Sequence, residues 1–528
     1  MRLLIVEDEA DLRESLTKAM IVLNRVAFRK QIPISNMFTI SDTKMAHNCA
    51  GFSRRDFLSI GSLGLGGFTL SQLLAAKAGA GPAAGLKPYV KDKSIVLLFL
   101  HGGPSQLETW DPKPDAPSGI RSMFGTVPTS LPGVHFGSHF PKMAKMANRL
   151  AIVRSFQSRN AGHTYGAVST AGNPTKAAMS AIYARVAGTN HPVSGMPVNV
   201  QVLPEAVQPG IALGSNFETS ALGSVTQGGE LGPNYEAFNI AGYVSKGESR
   251  KGKDAKAGRE GGANVMRDNM ELRLEPERFM DRRQLLSQLD SLKRGAESSG
   301  TFEVLDRYQQ QAFDVITKGV GEAFDLSKED PRTVAQYDTS RLFRLEDVTR
   351  WHDMKRASNM LGHQMLMARR LCESGCGFVT VSDCGWDMHS NSNSPKNLGG
   401  MHFLGSQVDH AVAAFLEDVQ ARGLSDKILL VITGEMGRSP RINKDGGRDH
   451  HGNLTPLILA GGGLKMGQVI GQSDRYAEKP DSDAYGPENL MATIFHTVFD
   501  VAEMRLDPTI PRELASAVQD GRPIRELI

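Results

Sequence analysis

Aspartate, glutamate and histidine recur in one kind of place in this sequence, beside short apolar runs. Leu100 is followed by His101, Ser105, Glu108 and Asp111, and Val153 by Asn160-Ala161-Gly162-His163-Thr164. Ser382 leads into Asp383-Cys384-Gly385-Trp386-Asp387-Met388-His389, and Thr433 into Gly434-Glu435-Met436-Gly437-Arg438. Gly447-Arg448-Asp449-His450-His451-Gly452 comes just before a fifth run. Carboxylates and imidazoles delivered by several strands can assemble one set of ligands for a divalent ion. Each piece also has a plainer reading. Asp387-x-His389 reads equally as a turn with a hydrogen-bonded histidine. Glu435 reads as a buried acid paired with Arg438, and His163-Thr164 as the cap of a helix starting near Tyr165. A hydroxyl at a helix N-terminus is also where a nucleophile meets a positive backbone field. Asp449-His450-His451, set among glycines, serves no packing purpose.

The runs themselves are the elements that must position these residues. Lys93 to Leu100, Leu150 to Val153, Gly377 to Ser382, Lys427 to Thr433 and Thr455 to Ala460 are continuous apolar stretches, as strands buried on both faces are. Helical patterns lie between them, at Phe140 to Leu150, Met354 to Glu373, Met401 to Arg422 and Asn489 to Phe499. This alternation predicts an α/β fold with a mostly parallel central sheet flanked by helices. Sites in such sheets gather at the carboxyl ends of strands. Residues of about 195–345 read as a largely helical insertion. Within it, Ser245 to Gly262 is a charged, Gly-rich surface loop or lid, and Arg282 to about Asp325 is helical.

Composition narrows the function classes. The chain has 528 residues, 40% hydrophobic and 22% charged, with 60 basic against 57 acidic side chains. That size allows one large domain with insertions or two domains. The near balance of charge gives no electrostatic case for nucleic acid or an anionic membrane. Of the cysteines, Cys49, Cys372, Cys376 and Cys384, three follow residue 80, an odd count that does not read as a disulfide framework. Cys372 and Cys376, four apart on a helix, are expected to be buried.

Ser53-Arg54-Arg55-Asp56-Phe57-Leu58, the weakly apolar stretch Ile60 to Leu74 and the small residues to Ala80 have the three parts of a secretory signal. The arginine pair assigns 53–80 to the twin-arginine route. The expectation is export to the periplasm or beyond, with the twin-arginine translocase as transient partner. The apolar run is too short and Gly-rich for a stable transmembrane span. Ahead of the signal, Leu3 to Glu9 resembles the first strand and acidic turn of a response-regulator receiver. No further receiver pattern follows, so 1–52 reads as a fragment or an upstream start, with Met45 as the alternative first residue.

From 91 to 528 the chain resembles the alkaline-phosphatase superfamily, and more closely the exported, sulfatase-like domain-of-unknown-function family 1501. The residues carrying the resemblance are Leu100-His101-Gly102-Gly103-Pro104-Ser105, Trp386-Asp387-Met388-His389-Ser390, Thr433 to Pro440 and Gly447 to His451. It implies an alkaline-phosphatase-like fold and a metal-dependent hydrolase of phosphate or sulfate esters, on a small molecule or a polysaccharide. One or two divalent ions (Zn, Mn, Fe, Mg or Ca) would be held by Asp387, His389, Glu435, Asp449, His450 and His451, with His101 and Asp383 as second choices. Thr164 would be the nucleophile or water-positioning hydroxyl, with His163 beside it, and Arg438 or Arg448 would bind the anion. The pattern also departs from the superfamily. Glu435-Met436-Gly437 stands where an Asp-His-Gly is usual, His101 where the first strand ends in aspartate, and the Cys-x-Pro-x-Arg of formylglycine sulfatases is absent. These departures support the alternative of a catalytically degenerate envelope protein, binding or structural, on the same fold. A polysaccharide-binding role for the middle insertion is a third reading.

Overall fold

The architecture is taken from a computed structural model, which describes residues 87–239, 320–519 and 521–528, and a short antiparallel pair, Met37–Thr39 with Ser59–Gly61. The chain divides into two units, 1–81 and 82–528. Apart from that pair, the receiver-like stretch and the segment 53–80, read above as an export signal, lie outside the described residues. So do the 245–262 loop and the helix expected from Arg282, except for the turn Val320–Phe324.

An eight-stranded sheet organises the second unit. Its strands are β1 Ser94–Leu100, β2 Ala151–Val153, β3 Asn199–Val202, β4 Phe238–Asn239, β5 Phe378–Asp383, β6 Ile428–Thr433, β7 Leu457–Gly461 and β8 Gln468–Ile470. Their spatial order is β8-β2-β7-β6-β1-β5-β3-β4. All neighbours are parallel except β7, which runs antiparallel to both β6 and β2. That reversal explains why ligand-type residues precede the fifth apolar run. The chain entering β7 lies at the edge where β1, β2, β5 and β6 end.

The two faces of β1 show why its sequence is continuously apolar. Val96, Leu98 and Leu100 join a core with α2 (Leu361–Glu373) and α3 (Met401–Ala421). Ile95, Leu97 and Phe99 join another with α1 (Met179–Ala187), α4 (Pro487–Val498) and α5 (Arg512–Gln519). The α/β architecture with a mostly parallel sheet is therefore as the sequence predicts. Two boundaries differ. The range 195–345, expected as a largely helical insertion, supplies β3 and β4 to the central sheet. Helix α2 begins at Leu361 rather than Met354, and the residues at its start are tied instead to the segment 339–343. Asn359 Nδ2 donates to the Ser340 and Phe343 carbonyls, and the Gly362 N–H donates to Thr339 Oγ1. Cys372, Cys376 and Cys384 are buried thiols without a disulfide. Among the described residues, no helix is long and apolar enough to cross a membrane.

A buried ion network ties α2 to α3. Arg369 bonds Glu329 at 2.7 Å, Glu373 at 2.6 Å and Asp418 at 2.8 Å, while Arg370 reaches Glu329 at 3.0 Å. Burial works against the Glu329 charge, but Arg370 and Arg369 prevail and lower its pKa from 4.5 to about 2. A depressed carboxyl stabilises above its unfolded value and loses that contribution as pH falls through the folded one. Glu329→Gln is therefore expected to flatten the loss of stability between pH 4.5 and 2, read from urea unfolding across that range. An equally steep loss in both proteins would remove Glu329 from the acid response.

Candidate active site

Asp387 is the hub of a cluster at the strand ends. It sits four residues beyond β5, at 5% exposure, under the loop that leaves β1. That loop can come so close because Gly102 has no side chain. Its φ is +110°, and a Cβ there would stand 2.4 Å from the Asp387 nitrogen. Asp387 Oδ1 accepts from Arg438 Nη2 at 2.6 Å and faces Nε2 of His389 at 3.0 Å and of His450 at 3.1 Å. Its Oδ2 faces His163 Nε2 at 3.3 Å. Burial alone would raise its pKa, but the three histidines and Arg438 hold the carboxyl far below the ordinary range.

Glu435, fully buried just past β6, forms the other side. It accepts the Gly102 N–H at 3.0 Å and faces His163 Nδ1 at 3.2 Å. Burial pushes its pKa up. His163 thus lies between two carboxylates. Burial works against its charge, yet Asp387 and Glu435 prevail and raise it to about 9. His450 Nδ1 is 3.2 Å from the Ala161 carbonyl, and its Nε2 is 2.9 Å from His389 Nε2. Burial lowers the His450 pKa, which leaves a lone pair for a ligand bond.

The loop carrying His450 is fixed by backbone contacts. Gly437–Arg438 pairs antiparallel with His450–His451. A Cβ on Gly447 would lie 2.0 Å from the His389 carbonyl, so only glycine permits that approach. Asn443 Nδ2 donates to the His389 carbonyl and to Asp449 Oδ1, both at 3.1 Å.

His163, Asp387 and His450 each offer a ligand atom, and these atoms lie within 4.8 Å of one another. Two imidazoles and a carboxylate fit a divalent ion such as Zn, Mn or Fe. His389 and Glu435 border this trio. The remaining sequence candidates are placed elsewhere. The Asp449 side chain is 66% exposed at the rim, 3.5 Å from His389 Nδ1. His451, on the opposite side of its short strand from His450, faces the Glu478 carbonyl at 2.7 Å. Asp383 is buried and holds Trp386 Nε1 at 2.8 Å and Gln407 Nε2 at 3.3 Å, with its pKa pushed up by burial to about 7.

His101 is not in the cluster either. Strand alternation puts it on the same side as Phe99, 4.8 Å from that ring and from Tyr165. Neither ring nitrogen has a protein partner, and burial, with Arg356 nearby, lowers its pKa to about 3. Thr164 is exposed, with its hydroxyl outside the bonded network, and the helix after it, Gly166–Ser169, is a single turn. It therefore has no helix field to activate it. Its neighbour His163 makes the contacts.

The two arginines do not present free forks for an anion. Arg438, at 2% exposure, donates to the Gly103 carbonyl at 2.8 Å, to Arg448 O and Trp386 O at 3.2 Å, and to the Gly102 carbonyl, besides Asp387. Arg448 is buried against Glu108.

One buried acid was invisible to sequence reasoning. Glu218 lies beside Phe217, whose ring is 4.3 Å from that of His163, and accepts the Gly385 N–H at 3.1 Å. Only the capping pattern Asn216-x-x-Thr219 marks the segment. Burial raises the Glu218 pKa from 4.5 to about 8, against the Gly385 and Asn216 bonds. Such a group stabilises fully below 4.5, and that contribution is lost as pH rises through about 8. Glu218→Gln is expected to match the parent near pH 5 and to exceed it by roughly 2–4 kcal/mol at pH 9. Urea unfolding at the two pH values measures this, and parallel pH profiles would contradict it.

Three solved structures show how distant the known likenesses are. TAB5 alkaline phosphatase, as a His 135 Glu mutant with Mg bound, has a TM-score of 0.30 at 11% identity, over 78% of this chain and 99% of that one. The sulfatase PsFucS1 from Pseudoalteromonas sp. has 0.28 at 12%, over 86% and 75%. The phosphonate monoester hydrolase SpPMH from Silicibacter pomeroyi has 0.27 at 11%, over 82% and 76%. Likeness this remote assigns no chemistry. No curated protein matches the sequence. Residues 92–528 match the family described as "Protein of unknown function (DUF1501)", and the chain belongs to that family.

Proposed function

We propose that this protein is an exported, metal-dependent hydrolase of phosphate or sulfate esters with an alkaline-phosphatase-like core. The observation that carries the reading is the convergence of His163, Asp387 and His450 at the sheet edge. These three would hold a divalent ion, with His389 and Glu435 at its border. When bound, the ion would polarise an ester oxygen and lower the pKa of water. Glu435, fixed by the Gly102 N–H, orients His163. With Nδ1 turned to Glu435, Nε2, the atom that faces Asp387, is left as the ligand atom of His163. Thr164, at the exposed lip, is left as a water-positioning hydroxyl. The substrate is a small molecule or a polysaccharide ester, and the arginine pair at 54–55 supports periplasmic or extracellular placement through the twin-arginine translocase.

The test is metal analysis of the purified chain and of His450→Ala, with aryl phosphates and aryl sulfates screened against Zn, Mn, Mg and Ca. Bound metal in the parent, its loss in the variant and turnover of either ester class are expected. Equal metal in both proteins would remove His450 from the site. Absence of metal and turnover would favour the second reading, a binding or structural protein on the same fold. The saturation of Arg438 by protein acceptors is what recommends that alternative.

A further inference from the structure

We propose that the guanidinium of Arg438 is the second cation of this site, standing where a second divalent ion would, so that the cluster holds a single ion. The inference rests on the metal-dependent reading above and deepens it.

The charges show why. Among the described residues of the cluster, the buried carboxylates are Asp387 and Glu435, and the fixed buried cation is Arg438. Arg438 takes the Asp387 carboxylate from the side opposite His163. Nη2 meets Oδ1 at 2.6 Å, while His163 meets Oδ2. The same guanidinium puts Nη1 at 3.3 Å from His389 Nε2, so the imidazole beyond the trio is already turned toward a positive charge. A second divalent ion among Asp387, His389 and Arg438 would face that guanidinium at close range, in a region that water screens weakly.

The guanidinium cannot easily step aside. The Gly102, Gly103, Trp386 and Arg448 carbonyls and Asp387 account for its donor directions. The other carboxylates near the cluster are already committed: Glu218 accepts the Gly385 N–H, and Asp353 faces His352 Nδ1 at 3.1 Å. His101 turns toward Phe99 and Tyr165, Asp383 is spent on Trp386 and Gln407, and Glu108 is spent on Arg448. Asp449 stays at the rim, its side chain mostly in solvent. Arg438 is on this account a positioning residue. It orients Asp387 and supplies fixed charge without touching substrate.

The test counts ions. The full chain is stripped with chelator, titrated with Zn2+ alone and with Mn2+ alone, and read by native mass spectrometry and elemental analysis. One ion per chain at saturation is expected. Two ions bound together would overturn the inference, whereas none would overturn the metal-dependent reading beneath it. Arg438→Gln, which removes the charge and keeps an amide donor, is expected to admit a second ion. Failing that, it should tighten the first by on the order of tenfold or more. One ion at unchanged affinity in that variant would also overturn the inference. If Arg438→Gln does not fold, the parent count and Arg438→Lys decide. Lysine keeps the charge, so a single ion is expected and a second ion would refute the charge argument.

Discussion

Asp387→Asn is expected to unfold far more readily than the parent, by about 3–5 kcal/mol in the metal-free protein. The cost comes from what the carboxylate holds. With the charge gone, Arg438 is left buried at 2% exposure without its anion, and His163, His389 and His450 lose the group on which they converge. The pH profile separates this from general damage. The Asp387 carboxyl lies far below its ordinary value, so its contribution is present above about 3.9 and fades as pH falls. His163 is raised to about 9, so its contribution is full below about 6.5 and is lost as pH rises through 9. The pair therefore stabilises fully between about pH 4 and 6.5, and the difference between parent and Asp387→Asn should be greatest there. Urea unfolding in chelator from pH 4 to 10 measures it. A constant difference across that range would show that the His163–Asp387 ion pair contributes nothing.

The part of this arrangement that local chemistry announces is the set of strands and the residues at their ends. β1 and β6 are apolar at successive positions because both faces are covered, β5 is apolar at Phe378, Val379 and Val381, and Asp387, Glu435 and His450 stand out as ligand types beside them. β3 gives no such signal. Asn199 and Gln201 alternate with its two valines, and their amides are bonded to Tyr235, Leu222 and Ser382. His101 misleads for a geometric reason. Its place after Leu100 is right for a ligand, but the two-residue period of the strand turns it toward Phe99. The nucleophile reading of Thr164 leaned on a helix that proves to be one turn. Glu218 and the role of Arg438 depend on neighbours far along the chain: Gly385 is 167 residues from Glu218, and Gly102 is 336 from Arg438. No window of sequence contains both members of such a contact.

Arg448 is the strongest case of that kind, and its removal carries the other large effect. The sequence offers it as an anion clamp, yet both it and Glu108 are fully buried, 340 residues apart. Arg448 Nε and Nη2 reach Glu108 Oε1 at 3.0 and 2.8 Å. The rest of its fork serves the Ile120, Arg121, Ser439 and Pro440 carbonyls. Glu108 Oε2 in turn accepts from Ser122 Oγ at 2.8 Å and the Met123 N–H at 3.1 Å. The pair thus clamps the segment after β1 to the loop that presents His450. Arg448→Met should cost about 3–5 kcal/mol, because it strands a buried carboxylate and several carbonyls. The same variant should weaken metal binding, since His450 is two residues away and loses its anchor. Adding Glu108→Gln should recover much of the stability, because replacing both members of a buried pair costs far less than removing one. A double-mutant cycle by urea unfolding gives the coupling. An anion clamp behaves differently: Arg448→Met would then leave stability intact and weaken only the binding of inorganic phosphate or sulfate. That outcome would return Arg448 to the role its sequence position first implies.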